Sequence, residues 1–250
     1  MISILIILFI CGLVFGSFFN VVGLRLPLKQ SIVYPNSYCY NCQSYLSWKD
    51  NFPVISYIIL KGRCRVCHEN ISKLYPVVEL MTGLLFMFAA FKMAEFNLLI
   101  SLVLTSLVIL VFITDIYYFV IPNRLLVFFL SLFILIRIIH PLTPWYSSLL
   151  GFLFCYLLVF LLIIISRGGM GAGDMKFLAV LGFLTGTKTV LIGFILAILL
   201  GGLYSVYLLL LKRKGKFDFL PFGPFIGVGV LISYYYSTEI INLYITVVLK

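Results

Sequence analysis

Eight long apolar stretches, at roughly 2–24, 77–94, 97–114, 123–140, 145–166, 175–187, 189–211 and 221–248, leave this chain few ways to fold. About 20 apolar residues are needed to cross a bilayer as a helix. In hydrocarbon every backbone N–H and C=O must be satisfied within the protein, which a helix does by itself. Mean hydropathy is +1.19 and only 10% of residues are charged, where a soluble domain of this length carries about a quarter. The pattern predicts an all-α, polytopic membrane helical bundle of about eight transmembrane helices.

Two stretches depart from a plain span. Residues 175–187 are short, and could extend through Gly186-Thr187-Lys188 or form a broken or tilted helix. The last stretch opens on Gly223 and Pro224 and contains Gly227 and Gly229, so an irregular start is expected there. The first stretch lacks a basic leader, since the first Lys or Arg is Arg25, and no small-residue cleavage site follows it. Residues 2–24 therefore read as an uncleaved first transmembrane helix.

Eight crossings put the loops alternately on two sides. The side holding 25–76, 115–122, 167–174 and 212–220 carries fourteen of the eighteen Lys and Arg, counting those just inside the neighbouring spans. The excess of positive charge marks that side as cytoplasmic, with both termini outside if the short 175–187 stretch crosses; if it does not, the last two spans invert. The net charge of +10 is therefore a topology signal and does not point to nucleic acid. The cluster Lys212-Arg213-Lys214-Gly215-Lys216 reads as a lipid-headgroup anchor. Three parts follow: 1–24 as the first helix, 25–76 as a small cytoplasmic loop domain, and 77–250 as the main membrane domain. No tandem repeat stands out.

Four of the six cysteines fall in that loop, as Cys39-Tyr40-Asn41-Cys42 and Cys64-Arg65-Val66-Cys67, with 21 residues between the pairs. Two C-x-x-C knuckles at this separation have the spacing of a tetrahedral structural zinc site. A reducing cytoplasm favours metal over disulfides. The loop is too small to bury a core, so bound metal would supply much of its folding energy. Free or disulfide-forming thiols are the alternative reading. His68 follows Cys67 but is a ligand too many for a filled four-cysteine shell. Cys11 and Cys155 lie in apolar runs and read as small core residues.

Eight acids occur in 250 residues, and two of them, Asp115 and Asp174, sit at the edges of apolar runs. A carboxylate beside hydrocarbon is costly and usually faces a cavity or a partner. By the charge count both lie at the cytoplasmic face, separated in sequence by 58 residues. Two carboxylates sharing a proton can run aspartyl hydrolysis, one as base toward water and one as donor to the carbonyl oxygen. Gly168-Gly169 and Gly171-Ala172-Gly173 precede Asp174, and small residues there would let a substrate backbone approach. Each aspartate taken singly also fits a helix-end role, and for Asp174 that is an N-cap.

The ordered set of motifs resembles the prepilin peptidase family. It comprises Phe15-Gly16-Ser17-Phe18-Phe19-Asn20-Val21-Val22 with Arg25-Leu26-Pro27, the four cysteines, and Gly62-Arg63-Cys64-Arg65. Then come Tyr75-Pro76-Val77-Val78-Glu79, Thr114-Asp115 with Ile121-Pro122-Asn123, Gly171-Ala172-Gly173-Asp174-Met175-Lys176, and Pro221-Phe222-Gly223-Pro224-Phe225. These span nearly the whole chain. The family comprises bifunctional leader peptidases and N-methyltransferases of type IV pilus, type II secretion and competence systems.

The resemblance implies an aspartic endopeptidase of the bacterial plasma membrane, with Asp115 and Asp174 as catalytic residues. It would cut prepilin or pseudopilin precursors at the cytoplasmic face and then methylate the new N-terminus with S-adenosylmethionine. Short length and the loops look most like the Gram-positive competence branch. Many relatives have proline in the first knuckle, where this chain has Tyr40; both ligands of that knuckle are still present. No Gly-rich Rossmann loop marks a cofactor pocket. Glu79 and Arg63 are read as loop-to-membrane contacts, with Glu79 in a structural ion pair at a helix start, a role preferred over holding the substrate amine. The competing reading is a transporter using the aspartates for protons or cations, but charges gathered at one face and the lack of duplicated halves argue against it. A membrane scaffold whose zinc loop binds a partner would leave the acids and glycines unexplained.

Overall fold

The computed structural model describes residues 2–166, 169–211 and 220–248, and each of the eight apolar stretches lies on a helix. Arg167, Gly168, Lys250 and the basic cluster at 212–216 lie outside the described residues. Among those described there are nine α-helices, one 3-10 turn at Trp48–Asn51, and no strand. The helices are α1 Ile2–Arg25, α2 Ile55–Ile59, α3 Leu74–Lys92, α4 Glu95–Tyr118 and α5 Asn123–Ile139. They continue with α6 Ser147–Ile165, α7 Ala172–Thr185, α8 Thr187–Leu210 and α9 Gly223–Val248.

Five helices, α1, α3, α4, α6 and α8, are long and apolar enough to cross a membrane. The 17 residues of α5 and the 14 of α7 reach about 26 Å and about 21 Å at the α-helical rise. Both fall short of a hydrocarbon core about 30 Å thick. The extension through Gly186-Thr187-Lys188 does not occur. Gly186, at φ +81°, ends α7 and opens α8 in a single residue, a conformation that glycine adopts without penalty. Instead α7 begins earlier, at Ala172, and takes in Asp174. The start of α9 is irregular as expected: Pro221 and Phe222 precede the helix, and the backbone breaks again at Tyr236.

The chain divides into two compact units, Met1–Ile113 and Thr114–Lys250. In the first, α1 and α3 pack at backbone contact. A Cβ on Gly12 would lie 2.7 Å from the Gly83 Cα, and one on Gly16 would lie 2.7 Å from the Glu79 Cα. Small residues at such seams let transmembrane helices approach closely. Asn20 donates across the seam to the Tyr75 carbonyl at 3.2 Å. Glu79 accepts from the Val54 N–H at 2.7 Å and from the Ser17 hydroxyl. It does join loop to membrane helix, but through neutral donors; among the described residues it forms no ion pair. Val54 sits at φ +60°, a strained value for a β-branched residue, and Glu79 holds that turn.

In the second unit, α6 meets α7 at Gly151 and Gly182, and α8 meets α9 at Gly193 and Gly229; any Cβ at these glycines collides with the partner helix. The α7 side chains Phe177, Leu178, Leu181 and Leu184 are wholly buried, so this short helix runs through the interior. Its C-terminus is capped by Arg137 of α5, whose guanidinium donates to the Leu184 carbonyl through Nε at 2.8 Å. More than half of α4's apolar segment is buried (56%), the largest share among the five candidate spans. The last turn of that helix carries Asp115.

Candidate active site and metal centre

Asp115 is buried. Phe119 takes the left-handed conformation just past α4, and its N–H closes onto the Asp115 carbonyl at 2.9 Å. The Asp115 carboxylate accepts from the Gly223 N–H at 2.8 Å. Gly223 is the first residue of α9, where the N–H groups have no partner inside the helix and the dipole favours an anion. Pro224 behind it supplies a φ suited to the first turn.

Asp174 lies three residues after Gly171, the N-cap of α7, and so is not itself the cap. Its carboxylate reaches back to accept from the Gly171 N–H, half of a capping box. A Cβ on Gly171 would stand 3.1 Å from Asp174 Oδ2, which is why a small residue suits that position. The two carboxylates thus each take an amide from a helix N-terminus, α9 for Asp115 and α7 for Asp174. They lie close enough to interact electrostatically.

The motifs around the pair also meet. A Cβ on Gly173 would lie 3.2 Å from Ile121, and Lys176 donates to the Asn123 side-chain oxygen at 3.1 Å. Gly171-Ala172-Gly173-Asp174-Met175-Lys176 is therefore packed onto Ile121-Pro122-Asn123. Sequence reasoning named Pro221-Phe222-Gly223-Pro224-Phe225 without a role for it. Its signal was a Gly-Pro pair at the mouth of an apolar run, which marks a helix N-terminus.

The four loop cysteines come together. All four Sγ atoms lie within 4.8 Å of one another; Cys39 and Cys67 are 3.7 Å apart, Cys42 and Cys64 3.9 Å. Tetrahedral thiolates at a metal–sulfur distance near 2.3 Å are about 3.8 Å apart. The knuckles match bond for bond. Cys39 N–H donates to Ser44 O as Cys64 N–H does to Glu69 O, and Gln43 N–H to Cys39 O as His68 N–H does to Cys64 O. The bridges Tyr38–Tyr45 and Arg63–Asn70 close both turns at the same offset. A structural repeat is thus present where the sequence suggested none; only the cysteines are shared between its halves, so no similarity showed. Gln43 and His68 occupy equivalent corners at φ +58° and +57°, so His68 serves the turn through its backbone.

The sulfurs carry the electrostatics of a cation site. Hydrogen bonds from Ser44, side chain and backbone, bring the Cys42 thiol down to about 6. The Cys67 and Val66 amides lower Cys64. The Glu69 amide pulls Cys67 down, but burial and the neighbouring thiols push it up to about 11. Donors favour thiolates while crowding stops all four ionising together, and a dication placed among them would relieve that conflict. Arg25, in the last turn of α1, donates to the carbonyls of Ser31, Pro35 and Asn36 and sets the loop's first segment. Arg65 pairs with Asp50 at 2.7 Å and ties the second knuckle to the 3-10 turn.

Residues 10–93 match the bacterial peptidase A24 N-terminal domain, and residues 102–206 match the type IV leader peptidase family. A prepilin leader peptidase/N-methyltransferase of Bacillus subtilis (strain 168) is 40% identical, covering 97% of this chain and 98% of that protein. One of the same name from Aeromonas salmonicida (strain A449) is 28% identical over 97% of this chain and 94% of its own length. A type 4 prepilin-like proteins leader peptide-processing enzyme of Escherichia coli O78:H11 is 30% identical over 90% and 91%. No solved structure matches. With the motifs of both matched segments gathered at two centres, a carboxylate pair and a four-sulfur cluster, the chain belongs to the type IV leader peptidase family.

Proposed function

We propose that this protein is a membrane aspartic endopeptidase that removes the leader of prepilins or pseudopilins and then N-methylates the new N-terminus. The observation that carries it is the carboxylate pair, two acids from distant helices each held by a helix-terminal amide and within electrostatic reach of each other. One carboxylate takes a proton from water as the oxygen attacks the scissile carbonyl carbon. The other gives its proton to the carbonyl oxygen. As the tetrahedral species collapses, the C–N bond breaks, the proton taken from water passes from the first carboxyl to the departing amine, and a hydroxyl on the former carbonyl carbon returns a proton to the second carboxylate. The pair works as one titrating unit, so both members are needed.

Methylation follows on the freed amine, with S-adenosylmethionine as donor. Cys39, Cys42, Cys64 and Cys67 would hold a structural zinc. A shell of four thiolates has no open position, so the metal would organise the 25–76 loop domain and take no part in bond breaking. We place this loop and both aspartates at the cytoplasmic face of a bacterial plasma membrane, with both termini outside. We count all eight apolar helices as membrane-embedded, residues 1–24 as the first and 77–250 as the peptidase domain. The substrates are then components of pilus, type II secretion or competence machinery.

The test is processing of a co-expressed prepilin-like precursor in membranes, comparing the native chain with Asp115→Ala and Asp174→Ala. Mass shift reads cleavage and the N-terminal methyl reads the second activity. Loss of cleavage in both variants with normal insertion is expected; normal processing by either removes that residue from the catalytic role.

A further inference from the structure

The loop domain turns an apolar face outward. In α2, Tyr57 points inward: its hydroxyl donates to the Ile71 carbonyl at 3.4 Å, and its ring lies against Gly62, leaving no room for a Cβ there. Ile55, Ile58 and Ile59, spaced i, i+3 and i+4, share the other side and are 56%, 67% and 69% exposed. Just upstream, Trp48 is 70% exposed and packs edge-on against the exposed Phe52 at 5.8 Å. Lys49 Nζ lies 5.5 Å from the centre of the Trp48 ring. Exposed Lys61 follows the helix after Leu60. A cluster of apolar residues rimmed by charge on a small domain marks a docking surface.

Two features choose the occupant. Both ends of the loop run straight into apolar helices, α1 at Arg25 and α3 at Leu74, so the domain is tethered at a bilayer surface on both sides. Residues 25–76 also hold seven Lys and Arg against two acids, Asp50 and Glu69. Tryptophan and isoleucines flanked by lysines make up an interfacial anchor, and the excess cations suit anionic headgroups. A second copy of this equally basic domain would be repelled.

We propose that Trp48, Phe52, Ile55, Ile58 and Ile59 seat the loop domain in the interfacial layer of the bilayer that α1 and α3 enter, with Lys49 and Lys61 on anionic lipid headgroups. This holds the four-cysteine domain down on the membrane surface. It does not depend on the peptidase reading.

The full chain carrying Trp145→Phe has Trp48 as its single tryptophan. Reconstituted in nanodiscs of phosphatidylcholine with phosphatidylglycerol, its emission should be blue-shifted and largely quenched by lipids brominated near the headgroup. Deeply brominated lipids should quench less. Pure phosphatidylcholine or high salt should weaken the effect, and Ile58→Asp with Ile59→Asp should abolish it at unchanged zinc content. The quenching in the Trp145→Phe chain needs no variant of the face itself, so misfolding of the double variant cannot hide the answer. Red emission open to acrylamide in anionic nanodiscs would overturn the proposal. So would a shielded Trp48 that no brominated lipid quenches, which would assign the face to a protein instead.

Discussion

Cys64 and Asp115 are both held by backbone amides, but the amides come from different distances. Cys64 takes a hydrogen bond from Val66, two residues on, inside one tight turn. Asp115 takes its hydrogen bond from Gly223, 108 residues away. The sulfur cluster needs two short turns and whatever binds between them. The carboxylate pair needs α4, α7 and α9 to end at the same place, which depends on glycine seams buried in the helical unit. A centre of the first kind should fail with its metal, and one of the second kind with its helix termini. Each should be breakable with little effect on the other's structure.

The largest effect is expected at the carboxylates. Asp115→Ala and Asp174→Ala should each lower cleavage by at least about 10³-fold, since each removes a general acid or base from a pair that acts as a unit. Zinc content, read by elemental analysis, should not change. A drop in bound zinc in either variant would show that the centres are structurally coupled.

Next is the metal. If the cluster holds the proposed zinc, Cys64→Ser or a chelator should unfold the loop domain, because a metal bound by four thiolates would supply much of the folding energy of so small a unit. Limited proteolysis within 25–76 should become fast and methylation should be lost, while cleavage falls by less than about tenfold, little beside the loss of a general acid or base. Equal loss of both activities would make the loop domain part of the peptidase.

These two centres also differ in how far the sequence revealed them. Cys-x-x-C spacing encodes its own turn, so the cluster is legible from spacing alone, and the aspartates stand out because acid is scarce. Helix positions follow from apolar runs. The partners of the carboxylates do not, because Gly223 reaches Asp115 only through tertiary packing. The end of α7 is legible to within two residues, because Thr185-Gly186-Thr187-Lys188 interrupts the apolar run, while its start at Ala172 is hidden because the glycines and Asp174 there carry no apolar signal. The matching of the knuckles is invisible for a related reason: it lies in backbone hydrogen bonds, whose donors and acceptors any side chain can accompany.

Gly223 gives a sharper test of the distant amide. Gly223→Pro deletes the N–H that Asp115 accepts while keeping a residue tolerated in a first helical turn. A hydrogen bond to a charged group is worth about 1.5–3 kcal/mol, so kcat should fall by roughly 10- to 100-fold. KM should stay near the native value, and zinc content should not move. Gly223→Ala keeps the N–H and should retain most of the lost activity. Equal damage from Pro and Ala would mean that the helix start, and not the hydrogen bond, is what matters.

The smallest effect belongs to the loop domain's ion pair. Burial pushes the Asp50 carboxyl up, but hydrogen bonds from Ser47 and Arg65 and the charge of Arg65 pull it further, to a net value below the usual range. A carboxyl depressed on folding stabilises the fold above its unfolded pKa, near 3.9, and that contribution is lost as pH falls through the lower folded value. Arg65 is 54% exposed, so the pair is worth only about 0.2–1 kcal/mol. Asp50→Asn should therefore lower the loop domain's stability slightly at neutral pH and flatten its loss below about pH 4. Thermal melts of the zinc-loaded chain at pH 7 and under acid would read it, provided acid release of zinc is followed in parallel. A large neutral-pH destabilisation would mean that the 3-10 turn holds the second knuckle in place, and that the cluster depends on more than its two turns.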